Sequence, residues 1–164
     1  MTAYDASEWT DFFVAGAGAS AALAGLVFVA ISINVDRILG LPGLPDRALA
    51  TVMLLLSVVL VSLLALIPGQ SRGVLAAELL VVGLVFAALI LELTRRSMNA
   101  RNGRQAQTYA AWLLVGAGTV PVVVGAVSLL FEAGGGLYWV AAGLALATAG
   151  AVANAWVLLV EILR

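Results

Sequence analysis

Residues 11–37 read DFFVAGAGASAALAGLVFVAISINVDR. No charge interrupts the run between Asp11 and Asp36. It opens on small residues and closes on Ser32, Asn34, Asp36 and Arg37. Its apolar part, as a helix, covers roughly 38 Å, enough to cross a bilayer with some tilt. This stretch sets the fold class, and every later apolar run is expected to pack beside a helix of this kind.

The whole chain agrees with that reading. Of its 164 residues, 63% are hydrophobic and 10% charged, and the mean hydropathy is +1.13. A soluble domain carries about 45–50% apolar and about 25% charged residues. So much apolar surface cannot be hidden inside a core this small, and lipid must be the solvent. The segment before the first run holds Asp5, Glu8 and Asp11 and no basic residue. A secretory leader begins positively charged, so the first run is expected to stay and span.

Turn signals divide the rest. Pro42 and Pro45 end span one, with Asp46 expected to cap the next helix. Pro68-Gly69 ends span two. The polar stretch RRSMNARNGRQAQ ends span three, and Gly134–Gly136 ends span four. The expected fold is an all-α integral membrane domain occupying 1–164. Its five transmembrane helices lie at about 9–38, 47–67, 73–96, 107–131 and 138–162. Four crossings plus one re-entrant helix is the alternative. Short connections favour antiparallel neighbours. Span two has no polar stripe and is expected to be the most lipid-exposed helix.

Arginine placement sets the orientation. All eight basic residues are arginine. Arg37, Arg47, Arg95, Arg96, Arg101, Arg104 and Arg164 fall on one face, and only Arg72 on the other. Short cytoplasmic loops carry the positive excess. The N-terminus is therefore expected outside and the C-terminus in the cytoplasm. Abundant alanine and glycine without lysine fit a GC-rich bacterial gene, so the expected location is a bacterial cytoplasmic (inner) membrane.

Small and polar residues form stripes. Ala17, Ala21, Gly25, Ser32 and Asp36 share one face of span one. Gly118, Pro121, Gly125, Ser128 and Glu132 share a face of span four, and Gly143, Ala147, Gly150, Asn154 and Glu161 a face of span five. Small residues every four positions let helices approach closely, so Ala17, Ala21, Gly25, Gly118, Pro121, Gly125, Gly143 and Gly150 are expected packing positions. Pro121 removes a backbone hydrogen bond inside span four. In span three Glu78 and Glu92 stand roughly 21 Å apart on one face. Glu92 lies one turn from Arg95 and Arg96. Polar groups within a span face protein or water. This marks Glu78, Asn154, Asn34, Ser32, Asp36 and Glu92 as a pathway or polar junction, with Asn34 and Asp36 expected to meet Asn154 and Glu92.

Enzyme chemistry is disfavoured. The chain has no histidine, cysteine or lysine, and neither a GxGxxG nor a Walker motif. No cofactor or metal is expected, and with net charge −1 no nucleic-acid partner. Two functions remain. One is a homo-oligomeric channel or carrier for a small ion, with a ring of Glu78 favouring cations at the outer mouth. The other is a non-transporting accessory or regulatory subunit. In it Arg95, Arg96, Arg101 and Arg104 would contact anionic lipid or a protein partner.

Overall fold

The computed structural model describes the backbone of residues 2–100 and 105–163 and the side chains of residues 3–100 and 116–160. Two 3-10 turns, Thr2–Tyr4 and Ala6–Trp9, precede six α-helices. These are α1 (Thr10–Ile33), α2 (Val35–Gly40), α3 (Leu44–Ala65), α4 (Arg72–Ala100), α5 (Gln105–Phe131) and α6 (Leu137–Leu163). The stretches Ala6–Ile33, Leu44–Ala65, Arg72–Ala100 and Leu137–Val160 are each long and apolar enough to cross a membrane. Gly116–Phe131, within α5, adds a shorter apolar stretch. The protein is a multi-pass, all-helical membrane protein.

Helices α3, α4, α5 and α6 pack in sequence, and α6 returns against α3. Helix α1 lies outside this group, packed on α3 and brushing α6. This reverses the expectation for span two. Half of the apolar stretch of α3 is buried (50%), against 6% for the stretch that contains α1. One face of α3, at Leu49, Leu56 and Leu63, is exposed, and the rest packs against α1, α4 and α6. Leu54, Leu55, Val58 and Val61 of α3 meet Leu79, Phe86, Val122, Leu129 and Leu144 in one continuous core.

The helix ends follow local chemistry. Asp5 accepts from the Ser7 backbone N–H at 3.0 Å and from its hydroxyl at 2.7 Å, which caps the second 3-10 turn. Those bonds, the hydroxyl's first, hold the Asp5 carboxyl below the usual carboxylate value. The first span does not continue unbroken to residue 38. Asn34 leaves helical geometry (φ −110°, ψ 17°), and its side-chain amide donates to the Ala30 carbonyl at 2.9 Å. Helix α2 then tucks Ile38 against Leu44, Ala48 and Leu158. Helix α3 starts earlier than expected. Gly43, with φ 75°, is its N-cap, and Pro45 sits inside the first turn, where a missing N–H costs nothing. Asp46 lies in that turn and does not cap it.

At the other end of the bundle, α5 stops where the Ala133 N–H reaches back to the Ser128 carbonyl at 3.2 Å. Glu132 takes the left-handed conformation there (φ 53°). The Ser128 hydroxyl donates to the Ala133 carbonyl and accepts from the Gly136 N–H. The Tyr4 hydroxyl accepts from the Gly135 N–H at 3.2 Å. A Cβ at Gly136 would fall on the Ala3 carbonyl, and its φ of 48° suits glycine. The N-terminal turn thus seats directly on the α5–α6 turn. Trp9 stacks edge-on against Tyr138 at 4.8 Å beside it. Trp139 and Trp156, both exposed on α6, are 17 residues apart. That is roughly 26 Å along the axis, close to the ~30 Å hydrocarbon thickness that interfacial aromatics bracket.

Helices α5 and α6 approach most closely at glycines. A Cβ at Gly125 would lie 2.6 Å from Val140 Cγ2 and 2.9 Å from Val140 N. One at Gly143 would lie 2.7 Å from Val122 Cγ2, and one at Gly118 3.1 Å from Ala147 Cα. Gly150 is buried and Pro121 half-buried. Helix α1 turns a different side inward from its small-residue stripe. Phe13 and Ser20 are buried, and Leu23, Ala24 and Val27 pack on the core. Ala17 is half-buried, and Ala21, Gly25, Ser32 and Asp36 are exposed.

These contacts separate two glycines of the same helix type. Gly125→Ala should lower unfolding stability in detergent by about 1–3 kcal/mol through overpacking. Gly25→Ala, whose new methyl meets nothing within 4 Å, should raise it by up to about 1 kcal/mol through helix propensity. Denaturant titration followed by circular dichroism checks both.

Candidate functional site

Two polar sites lie at opposite ends of the bundle. The first is a vestibule of about 920 Å³ beside the N-terminal turns, where Tyr4, Asp5, Ser7 and Thr10 face Ala65–Gln70, Arg72 and Glu132. Pro68 and Gly69 (φ 69°) shape its rim. Arg72, at the start of α4, forms an ion pair with Glu132 at the end of α5. Glu78, half-buried on α4, accepts a hydrogen bond from the side-chain amide of Gln70. The other amide atom of Gln70, Oε1, is buried without a protein partner. Sequence spacing placed no cation within a turn of Glu78. Its neighbour is instead a neutral amide eight residues back, brought near by the α3–α4 connection.

The second site joins α3 and α6 near the other end. The Arg47 Nε–H donates to Asn154 Oδ1 at 2.7 Å. The Asn154 amide donates to Thr51 Oγ1 at 2.6 Å. The Thr51 hydroxyl in turn donates to the Arg47 carbonyl at 3.0 Å. Thr51 is fully buried, and Arg47 and Asn154 are half-buried. One amide thus ties a cation and a hydroxyl that lie one helical turn apart. Close by, the Ser97 hydroxyl of α4 donates to the Gly43 carbonyl at 2.7 Å, satisfying the backbone at the α3 N-cap.

The expected meeting of Asn34, Asp36, Asn154 and Glu92 is not formed. The Asn34 amide is used within its own helix. Asp36 is exposed on α2, and Ser32 is exposed one turn before it. Glu92 is exposed and pairs with Arg96 at 2.8 Å, one turn on. Asn154 instead finds Arg47 and Thr51. Arg47 and Thr51 already lay one turn apart at the start of the expected span at 47–67; what the sequence did not show is that α6 brings Asn154 to them. Arg95 and Arg96 are exposed at the end of α4, whereas Arg101 and Arg104 lie outside the described residues.

Between the two sites the described residues pack closely. Ser57, Gly83, Thr119 and Ala147 border a central gap of only about 10 Å³, too small for more than a single water. The Ser62 hydroxyl, fully buried on α3, has no partner within hydrogen-bond reach and faces Gly16 of α1. Ser20 and Thr148 approach to 3.3 Å between their hydroxyls, linking α1 to α6. Among the described residues no three acidic side chains converge to hold a metal ion.

Removing the amide tests the α3–α6 junction. Asn154→Leu should cost roughly 1–3 kcal/mol, because it strips a bond from a cation and leaves a buried hydroxyl with one partner fewer. Thr51→Val should cost less, and the double variant should fall short of the sum. Urea unfolding in micelles reads all three. No known protein family, curated protein or solved structure matches the chain.

Proposed function

We propose that this chain is a non-transporting accessory or regulatory subunit of a bacterial cytoplasmic membrane. In this reading it crosses five times, with the N-terminus outside and the C-terminus in the cytoplasm. The carrying observation is the apolar plug. Leu54, Leu55, Val58 and Val61 fill the bundle between the outer vestibule and the Arg47–Asn154–Thr51 junction. Among the described residues, an ion crossing that layer would meet only the hydroxyls of Ser57, Ser62 and Thr119, too few to replace its hydration shell, and the cost of such a transfer is high. Side chains that could serve as base, nucleophile or Schiff-base partner are scarce, which supports a non-enzymatic role. The exposed arginines Arg95 and Arg96 and the following Arg101 and Arg104 are the proposed contact for anionic lipid or a cytoplasmic protein.

A homo-oligomeric channel or carrier for a small ion is the second reading. The vestibule supports it, since Glu78 lies just behind its rim with an acceptor of Gln70 left over. A conducting path would then run between copies, because the described residues of the single bundle pack closely.

Ion flux separates the two. Purified protein in liposomes loaded with potassium should leak no faster than protein-free liposomes. A cation flux whose selectivity changes in Glu78→Gln would overturn the accessory reading. Orientation has its own test, made clean by the absence of cysteine. Ser71→Cys should react with a membrane-impermeant maleimide on intact cells, and Asn99→Cys only after permeabilisation. The opposite pattern would reverse the topology.

A further inference from the structure

The vestibule beside the N-terminal turns has the size of a ligand site, and its lining selects the kind of ligand. At about 920 Å³ it falls within the ~300–1,000 Å³ of clefts that take up small organic molecules. A bare ion would fill little of it, and among the described residues no three acidic side chains converge on a metal. Part of the wall is apolar, formed by Leu66, Ile67 and Pro68 after α3 and by Leu75 of α4. An occupant that covers this wall carries an apolar body as well as a polar group.

The charged lining side chains are Asp5, Arg72 and Glu132, and Arg72 is already paired with Glu132. Asp5 is left over. Glu78, bonded to the lining residue Gln70, adds a second carboxylate that meets no basic side chain among the described residues. By sequence, the side chains at this end are Asp5, Glu8, Asp11, Glu78 and Glu132 against Arg72, five acidic to one basic. The end of α3 and the start of α4 both border the vestibule, and their opposite dipole ends offset each other. The side chains therefore set the sign of the field, and it is negative.

Hydrogen bonding points the same way. Ser7 and Thr10 donate their hydroxyl hydrogens to Asp5 and to the Ser7 carbonyl, and Arg72 donates to Glu132. Both bonds to Asp5 fall on its Oδ1, so the other oxygen is still to accept. Tyr4 adds an aromatic ring to the lining, and the face of such a ring attracts a cation. An anion would meet the wrong sign and donors already engaged. We propose that the vestibule binds a small organic cation, an ammonium group carried on an apolar body. The site needs no flux across the bundle and stands under either reading of function.

Saturation-transfer NMR on the purified protein in maltoside micelles tests this, with choline as the probe. Its uncharged carbon analogue, dimethylbutanol, has the same shape without the charge. Choline should bind saturably, and dimethylbutanol at least about tenfold more weakly. Asp5→Asn keeps an oxygen to cap the 3-10 turn and should weaken choline about fivefold. Arg72→Gln releases Glu132 and should tighten choline about threefold. A variant that merely loosened the vestibule would not tighten binding. Equal binding of the two probes would overturn the proposal, as would the absence of a saturable choline signal. A loss of choline binding in both variants would assign the effect to structure and not to charge, and would also overturn it.

Discussion

Helices already dissolved in lipid gain little hydrophobic energy by meeting, so close packing must hold this bundle together. That requirement falls on the α5–α6 contact. At Gly118, Gly125 and Gly143 one helix backbone lies where the other's side chains would be. Dispersion grows steeply as atoms approach, so a contact without side chains between the axes is worth more than one with leucines interleaved. Around this pair, α3 and α4 complete a ring with ordinary apolar packing, and α1 is added on the outside.

The same economy explains where polarity is tolerated. Buried hydroxyls and amides occur where two helices can satisfy them together, as at Asn154 with Arg47 and Thr51. Others lie deeper: Ser20 and Thr148 meet between α1 and α6, and the buried Ser62 hydroxyl has no partner within reach. The middle layer combines Val58, Val61, Phe86 and Val122 with the hydroxyls of Ser57 and Thr119.

The helical, membrane-embedded character was legible from the apolar runs because length and charge-free composition answer directly to bilayer thickness. Which helix sits at the centre was not. An apolar helix face reads the same whether it meets lipid or a neighbouring helix, since both environments are hydrocarbon. Small-residue spacing had the same ambiguity. On α5 and α6 the glycines lie between helices, whereas on α1 the Ala21–Gly25 face is turned outward and Phe13 and Ser20 are buried instead. The partners of Glu78 and Asn154 depended on how Pro68-Gly69 and Pro45 direct the chain. Proline restricts φ but does not say whether a helix is ending or beginning.

The seat of the N-terminal turn bears on how the protein is made. Tyr4 binds a backbone N–H 131 residues further along the chain, and Gly136 is shaped to accept Ala3. That seat does not exist while the ribosome is still delivering α5. Helix α1 must therefore wait in the bilayer, with α3, α4 and α5 inserted behind it, before its leading end can be fastened. Its broad lipid-compatible surface is what makes the wait harmless, and the first residues can be fastened to the α5–α6 turn only once α5 is in place.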